Sequence, residues 1–408
     1  MDQPPMTPIR QKLIVPFAYL KAAVTICCLV GSSCIVHGGG SPRALSARET
    51  ARELSTTNSF SCHSLAFYND KLYAAVPAGM LEIEGGSVNR LYQWDKDDSQ
   101  LQGVWKDTAN GLLWVCLYDG NKLANYDGRT WREAKFPKPL HGYISRGDML
   151  TGFRGVSNSR SFWLEGAGRA WRWGGAKSGK WTEESLPSTF HPERWVNRPL
   201  KAVMPTNRNV FFVKRGDQDY GWRLALLDDA RMKSHPELLQ QLEEKIQGDS
   251  AWYLESGQWI AVTNNEGKFF AEESAVGNGK GYLRTEKGEL FEVIETGISR
   301  LKTPGTCEAI AASPTGTLLA SFRGLGVFEL KEEWQQLLTS PYSNSQRDYE
   351  VRLAAQVGCI ALAVRPQSQR QLSGANPAHN STATLVCNPV MWISQGQEWK
   401  RVSLPAAE

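Results

Sequence analysis

The chain has 408 residues, with 46 lysines and arginines against 42 aspartates and glutamates, a formal net charge of +4. A chain of this size can bury a full core without a disulfide framework. Its basic residues are dispersed rather than gathered into runs, so the electrostatic footprint of a nucleic-acid-binding protein is absent.

The first forty residues differ from the rest. Arg10 and Lys12 precede an apolar region from Leu13 to Val36, interrupted by Pro16 and Lys21, and small residues follow. A basic flank, a short apolar core and small residues describe a secretory signal peptide over residues 1–38, with a mature chain from Gly39 and an uncleaved signal anchor as the alternative. The chain is therefore expected to be exported, periplasmic, extracellular or at the cell surface, and to meet a membrane only through this segment. Residues 39–58 are polar and read as a linker.

From about Ser59 to Pro405 the chain repeats itself. An apolar segment, a turn reaching glycine and a second apolar segment recur as LYAAVPAGMLEI around Gly79, LWVCLYDGNKLANY around Gly120, FWLEGAGRAWRW around Gly168, YLRTEKGELFEV around Gly288 and LASFRGLGVFEL around Gly326. FFVKRGDQDYGWRLAL around Gly221 fits with a longer turn. These runs are expected to be β-hairpins. A closing phrase follows several of them, a tryptophan and then a proline, at Trp131–Pro137, Trp181–Pro187, Trp334–Pro341 and Trp399–Pro405. Preceding apolar stretches such as Lys201–Pro205 and Glu308–Ser313 supply a fourth strand. Four-stranded antiparallel units repeated every ~40 to 50 residues predict an all-β chain folded as a β-propeller.

Seven four-stranded blades fit best, ending near Trp94, Pro137, Pro187, Val262, Pro304, Pro341 and Pro405. Eight follow if Ala251–Val262 is a hairpin of its own, and six is the other alternative. The fourth unit is long. Within it Ser234-His235-Pro236-Glu237 reads as a capping box, and Leu238, Leu239, Leu242 and Ile246 at helical spacing predict a short helix near 234–247. Arg365–Thr384 reads as a polar surface loop, and residues 406–408 as a tail.

The run Leu113–Trp131 resembles the blades of regulatory propellers on bacterial sensors and of the broader WD40/YVTN-like superfamily. Its repeats are degenerate and lack a regular Trp-Asp dipeptide. The resemblance implies a propeller and, as one option, a sensor-type input domain. Asn125–Trp131 is also similar to the Asp-box of sialidases, though it begins with Asn and lacks the residue between Asp127 and Gly128.

Sites are harder to read. Eight cysteines leave Cys62, Cys116, Cys307, Cys359 and Cys387 outside the leader, an odd number, with Cys359 and Cys387 able to pair inside the last unit. No metal-ligand spacing, phosphate loop or nucleophile elbow occurs, so neither metal nor cofactor is expected. The distinctive cluster is Arg154, Arg160, Trp163, Trp171, Arg172 and Trp173. Aromatic faces beside guanidinium groups suit a protein or carbohydrate ligand, so Arg154, Arg160, Trp163, Trp171 and Trp173 are the candidate binding residues, against a packing role for the tryptophans. A repeated FRG phrase, Phe153-Arg154-Gly155 and Phe322-Arg323-Gly324, reads as a recurring turn. The expected function is a monomeric binding platform. The alternatives are a carbohydrate-active hydrolase or lyase with carboxylates at the channel mouth, or a sensor domain.

Overall fold

The computed structural model describes residues 42–57, 62, 64–76, 78–94, 101–117, 122–134, 154–157, 161–166, 169–175, 179–183, 202–205, 210–214, 248–342, 349–366 and 390–403. Expectations for the leader, the helix near 234–247, Arg160 and Cys387 fall outside them. The described chain opens with strand β1 (Arg43–Leu45) and helix α1 (Ala47–Thr57). The first sheet follows with β2 (Ser64–Tyr68), β3 (Lys71–Val76), β4 (Gly79–Glu84) and β5 (Ser87–Gln93). The second contains β6 (Leu101–Asp107), β7 (Leu112–Leu117), β8 (Lys122–Tyr126) and β9 (Trp131–Ala134). The third contains β10 (Arg154–Ser157), β11 (Phe162–Gly166), β12 (Arg169–Trp173) and β13 (Trp181–Glu183). The fourth contains β14 (Ala202–Pro205), β15 (Val210–Lys214), β16 (Ser250–Glu255) and β17 (Gln258–Ala261). The fifth contains β18 (Ala271–Gly277), β19 (Lys280–Thr285), β20 (Leu290–Ile294) and β21 (Gly297–Arg300). The sixth contains β22 (Cys307–Ala312), β23 (Leu318–Phe322), β24 (Gly326–Leu330) and β25 (Trp334–Thr339). The last contains β26 (Tyr349–Gln356), β27 (Cys359–Pro366), β28 (Val390–Gln395) and β29 (Glu398–Arg401).

Every sheet is an antiparallel meander, and the first strand of each packs against the first strand of the next, β26 returning to β2. The fold is a β-propeller. Six sheets have four strands, in accord with the alternative count of six. Seven four-stranded blades are not found, because the sheet of residues 43–93 has five strands in the order β1-β5-β4-β3-β2. Ala251–Val262 is not a blade of its own: β16 and β17 pair with β15 as the third and fourth strands of one sheet. Of the hairpin expected around Gly221 only residues 211–214 are described, and this strand pairs with β14 and β16; its turn and second arm lie outside the described residues.

The segment expected to be a linker also folds. Ser46 is the N-cap of α1: its N–H donates to Glu49 Oε2 at 2.9 Å, and Glu49 N–H donates back to Ser46 Oγ at 3.4 Å. This reciprocal capping box satisfies donors that a helix start leaves orphaned. Thr50, Ala51 and Leu54, at helical spacing, are buried, and Leu45 and Leu54 join the core between the last and first sheets. A polar average hides a narrow apolar stripe of this kind.

The core lies in slots between neighbouring sheets. Ala66, Tyr68, Tyr73, Met80, Tyr92, Leu113 and Val115 fill the slot between the first and second, and Trp114, Phe162, Leu164, Trp171 and Trp173 that between the second and third. Glycines make close approaches possible. A Cβ on Gly155 would stand 2.7 Å from the Trp105 ring and 2.8 Å from Phe162. Neighbouring sheets also interlock at their margins: Ile298 N–H donates to Thr263 O at 3.0 Å, and Ser403 donates to Gly86 O at 3.0 Å while accepting the N–H of Val88 at 3.1 Å.

Candidate functional site

Up-and-down strands place all first-to-second and third-to-fourth connections at one end of the ring, and all remaining connections at the other. Contacts between sheets agree with this: Tyr68 Oη donates to Gly111 O at 2.9 Å, and Thr108 N–H donates to Ser157 Oγ at 2.9 Å, each between neighbouring turns of the first end. Connections at that end are short, the longest running from Trp173 to Trp181. At the opposite end the chain runs from Ala134 to Arg154, from Glu183 to Ala202, from Lys214 to Ser250 and from Pro366 to Val390. Connections tolerate insertion because their backbone runs over the surface, and binding residues concentrate there.

This elaborated end is also where first strands begin and second strands finish, and there acidic residues and arginines occupy paired backbone positions. Arg154 stands opposite Glu165, Glu273 opposite Arg284, and Glu350 opposite Arg365 in cross-strand register. In the fifth sheet a bulge between Ala271 and Glu273 lets consecutive carboxylates serve one guanidinium. Arg284 donates through Nε to Glu273 at 3.0 Å and through NH2 to Glu272 at 2.9 Å. Burial alone would weaken the charge on Arg284, but the Glu273 and Glu272 carboxylates outweigh it and hold the guanidinium pKa above its usual value. Glu273 also accepts the N–H of Ile310 at 3.1 Å, tying the fifth sheet to the sixth.

The sixth sheet repeats the device with a bulge between Cys307 and Ala309. Glu308, whose side chain is 2% exposed, accepts Arg323 Nε at 3.1 Å and the hydroxyl of Tyr342. Burial, then the Glu308 charge, push the Tyr342 phenol up. Glu273 and Glu308 are thus fully engaged in holding sheets together. Within these two clusters Glu272 and Arg323, each 43% exposed, present charge to the surface while paired with Arg284 and Glu308. Such a surface can pair with charged groups of a ligand.

Of the residues singled out from sequence, the three tryptophans divide between the two faces of their sheet, and Arg160 lies outside the described residues. Trp171 and Trp173 are buried against the second sheet, with the Trp173 ring 5.1 Å from Trp114 and 4.9 Å from Trp181. Trp163 is buried on the other side of its sheet, donating to Ser161 Oγ at 2.8 Å, with exposed Arg172 stacked 5.8 Å from its ring. Alternation along the strands does not expose these tryptophans, because stacked sheets cover both faces. Arg154 starts β10 at the elaborated end. The two FRG phrases are not equivalent: Arg154 opens a first strand, whereas Arg323 follows a second strand into a turn. The acids Glu272, Glu273 and Glu308 were missed, although an acidic residue near the start of the first strand and an arginine near the end of the second recur in the sequence of the fifth, sixth and last sheets.

Asp127 also has a defined role. Its Oδ1 accepts the N–H groups of Arg129 and Thr130 at 2.9 and 2.8 Å, and its Oδ2 accepts Thr130 Oγ1 and Arg132, which folds the turn before Trp131. These bonds hold its carboxyl below the usual range.

No protein-family model matches the chain, and comparison with curated proteins finds no sequence match. Among solved structures it is similar to virginiamycin B lyase from Staphylococcus aureus, at 11% identity over 78% of this chain and 94% of the lyase, with a TM-score of 0.49. It is also similar to PorZ, a surface component of the type-IX secretion system of Porphyromonas gingivalis, at 7% identity over 83% of this chain and 44% of that one, TM-score 0.49. The WD40 β-propeller domain of Doa1 aligns at 11% identity over 82% of this chain and 98% of the domain, TM-score 0.45. Likenesses this distant say nothing of activity.

Proposed function

We propose that the chain is an exported, monomeric β-propeller that binds a protein or another ligand as a platform, using the end of the ring from which the long connections leave. In this reading the five-stranded sheet of residues 43–93 serves as a seventh blade. The observation that carries it is the asymmetry between the ends: long connections and outward-facing Glu272 and Arg323 lie at one end, short turns at the other. A carbohydrate-active enzyme would draw its acids from Glu272, Glu273 and Glu308. Binding is the better reading because Glu273 and Glu308 are both committed to arginines and hydrogen bonds.

The test is site-directed photo-crosslinking of the full chain in its host, from Glu272 and Leu325 at the elaborated end and from Asp70 and Val357 at the other. Crosslinks to one partner from the first pair alone are expected. Crosslinks only from the second pair, or turnover of a polysaccharide by the purified protein, would overturn the reading. Export is tested by fractionating the tagged chain and sequencing its N-terminus. A cytoplasmic protein beginning at Met1 would refute it.

A further inference from the structure

The outer edge of β5 is covered twice by the chain itself. Near its start, Ser403 donates to Gly86 O at 3.0 Å and accepts from Val88 N–H at 3.1 Å, in a parallel bridge. Near its end, Arg43, Ala44 and Leu45 of β1 stand antiparallel to Gln93, Tyr92 and Leu91. Arg43–Leu45 and Ser403, far apart in sequence, therefore share one sheet edge. They are held differently. Ser403 is continuous with the last sheet, whereas β1 belongs to none of the meanders.

β1 has three residues and is backed by α1, whose Leu54 joins Leu45 in the core beside Leu91, Met391 and Val402. Leu45, Thr50, Ala51 and Leu54 anchor the pair, whereas Ala47, Arg48, Glu49 and Arg52 are exposed, and Arg43 and Glu49 form a largely exposed ion pair. Each meander is complete without it: β2 to β5 already pair as four strands. An uncovered strand edge presents unpaired N–H and C=O groups and recruits an added strand.

We propose that residues 43–57 form a displaceable intramolecular clasp. It occupies a strand-addition site on β5 in cis, and its release leaves the propeller folded with that site open to an equivalent extended segment. A segment carrying leucine at the position of Leu45 and a following amphipathic turn fits the site, and residues 41–58 of the chain itself are the probe that matches it.

Hydrogen exchange on the full-length chain tests this. In the double variant Leu45→Asp with Leu54→Asp, amides near Leu91 and Gln93 are expected to exchange at least about tenfold faster while β3, β19 and β23 keep their protection. A synthetic peptide of residues 41–58 added in trans should restore slow exchange saturably. Unchanged exchange at β5, or no response to the peptide, would each overturn the proposal. If the double variant does not fold, the unaltered chain decides the matter: residues 43–57 and the end of β5 should open at a lower free energy than β3, and opening only together with the whole ring would refute the clasp.

Discussion

The Trp399 indole N–H donates to the carbonyl oxygen of Thr339 at 2.6 Å, joining the outer strand of the last sheet to the outer strand of the sheet before it. Trp334 makes the same bond one sheet earlier, to Lys302 O at 2.9 Å. In these two sheets the recurring tryptophan is therefore a fastener to the preceding sheet, whereas the buried indole N–H groups of Trp131 and Trp181 have no such partner and those two rings act through packing alone. Trp334→Phe and Trp399→Phe keep most of the ring contact and lose the donor, and each is expected to lower stability by about 0.5–1.5 kcal/mol beyond the lost area. Urea denaturation checks this. A midpoint equal to that of the unaltered chain would contradict it.

Buried and exposed ion pairs should respond differently. Arg284→Met strands Glu273, and the expected cost is about 3–5 kcal/mol. The Arg300–Glu289 pair, 57% and 29% exposed, should cost at most about 1 kcal/mol when Arg300→Met removes it. Chemical denaturation of both variants tests the contrast, and equal losses would show that Arg284 is not the clamp described.

Alkaline pH should loosen the slots between sheets. Tyr92 donates to buried Glu82 at 2.8 Å, and burial with this bond pushes its phenol up to about 12. Burial and the charge of Glu292 likewise push Tyr282 up to about 12. Because both folded values lie above the ordinary phenol value of about 10, the folded state favours the protonated form. Stability from these groups is full below about pH 10 and is lost as pH rises through about 12. Tyr92→Phe should remove part of that alkaline decline and cost about 1–3 kcal/mol at neutral pH, since Glu82 loses a donor. Denaturation measured across the pH series, with tyrosinate absorbance recorded in parallel, is the check.

The tryptophans of the third sheet should separate packing from binding. Trp171→Ala is expected to cost about 3–5 kcal/mol, because the side chain is 1% exposed. Arg172→Ala, at an exposed position, should change stability by less than about 0.5 kcal/mol. Loss of partner capture in Arg172→Ala with its stability intact would return the binding site to this sheet.

Gly155→Val should be poorly tolerated, because even the first side-chain carbon meets the Trp105 and Phe162 rings. Overpacking of this kind typically costs about 1–3 kcal/mol. A melting temperature equal to that of the unaltered chain would show that the two rings can move aside.

The hairpins around Gly79, Gly288 and Gly326 were legible because a two-residue period, glycine at the turn and aromatic strand residues are local properties. So was the tryptophan opening the fourth strand. The capping box at Ser46 and Glu49 was equally local, but it was overlooked within a segment of polar composition.

Sequence by itself thus determined the repeating antiparallel unit and its class of fold. Tertiary structure alone decided that β15 pairs with β16 across the long interval from Lys214 to Ser250, that β1 and Ser403 share one edge, and that Trp171 is buried while Glu272 faces outward. The reason is geometric. Alternation along a strand says only that neighbouring side chains point to opposite faces, whereas burial depends on what stands against each face. In a ring of stacked sheets that is a different part of the chain.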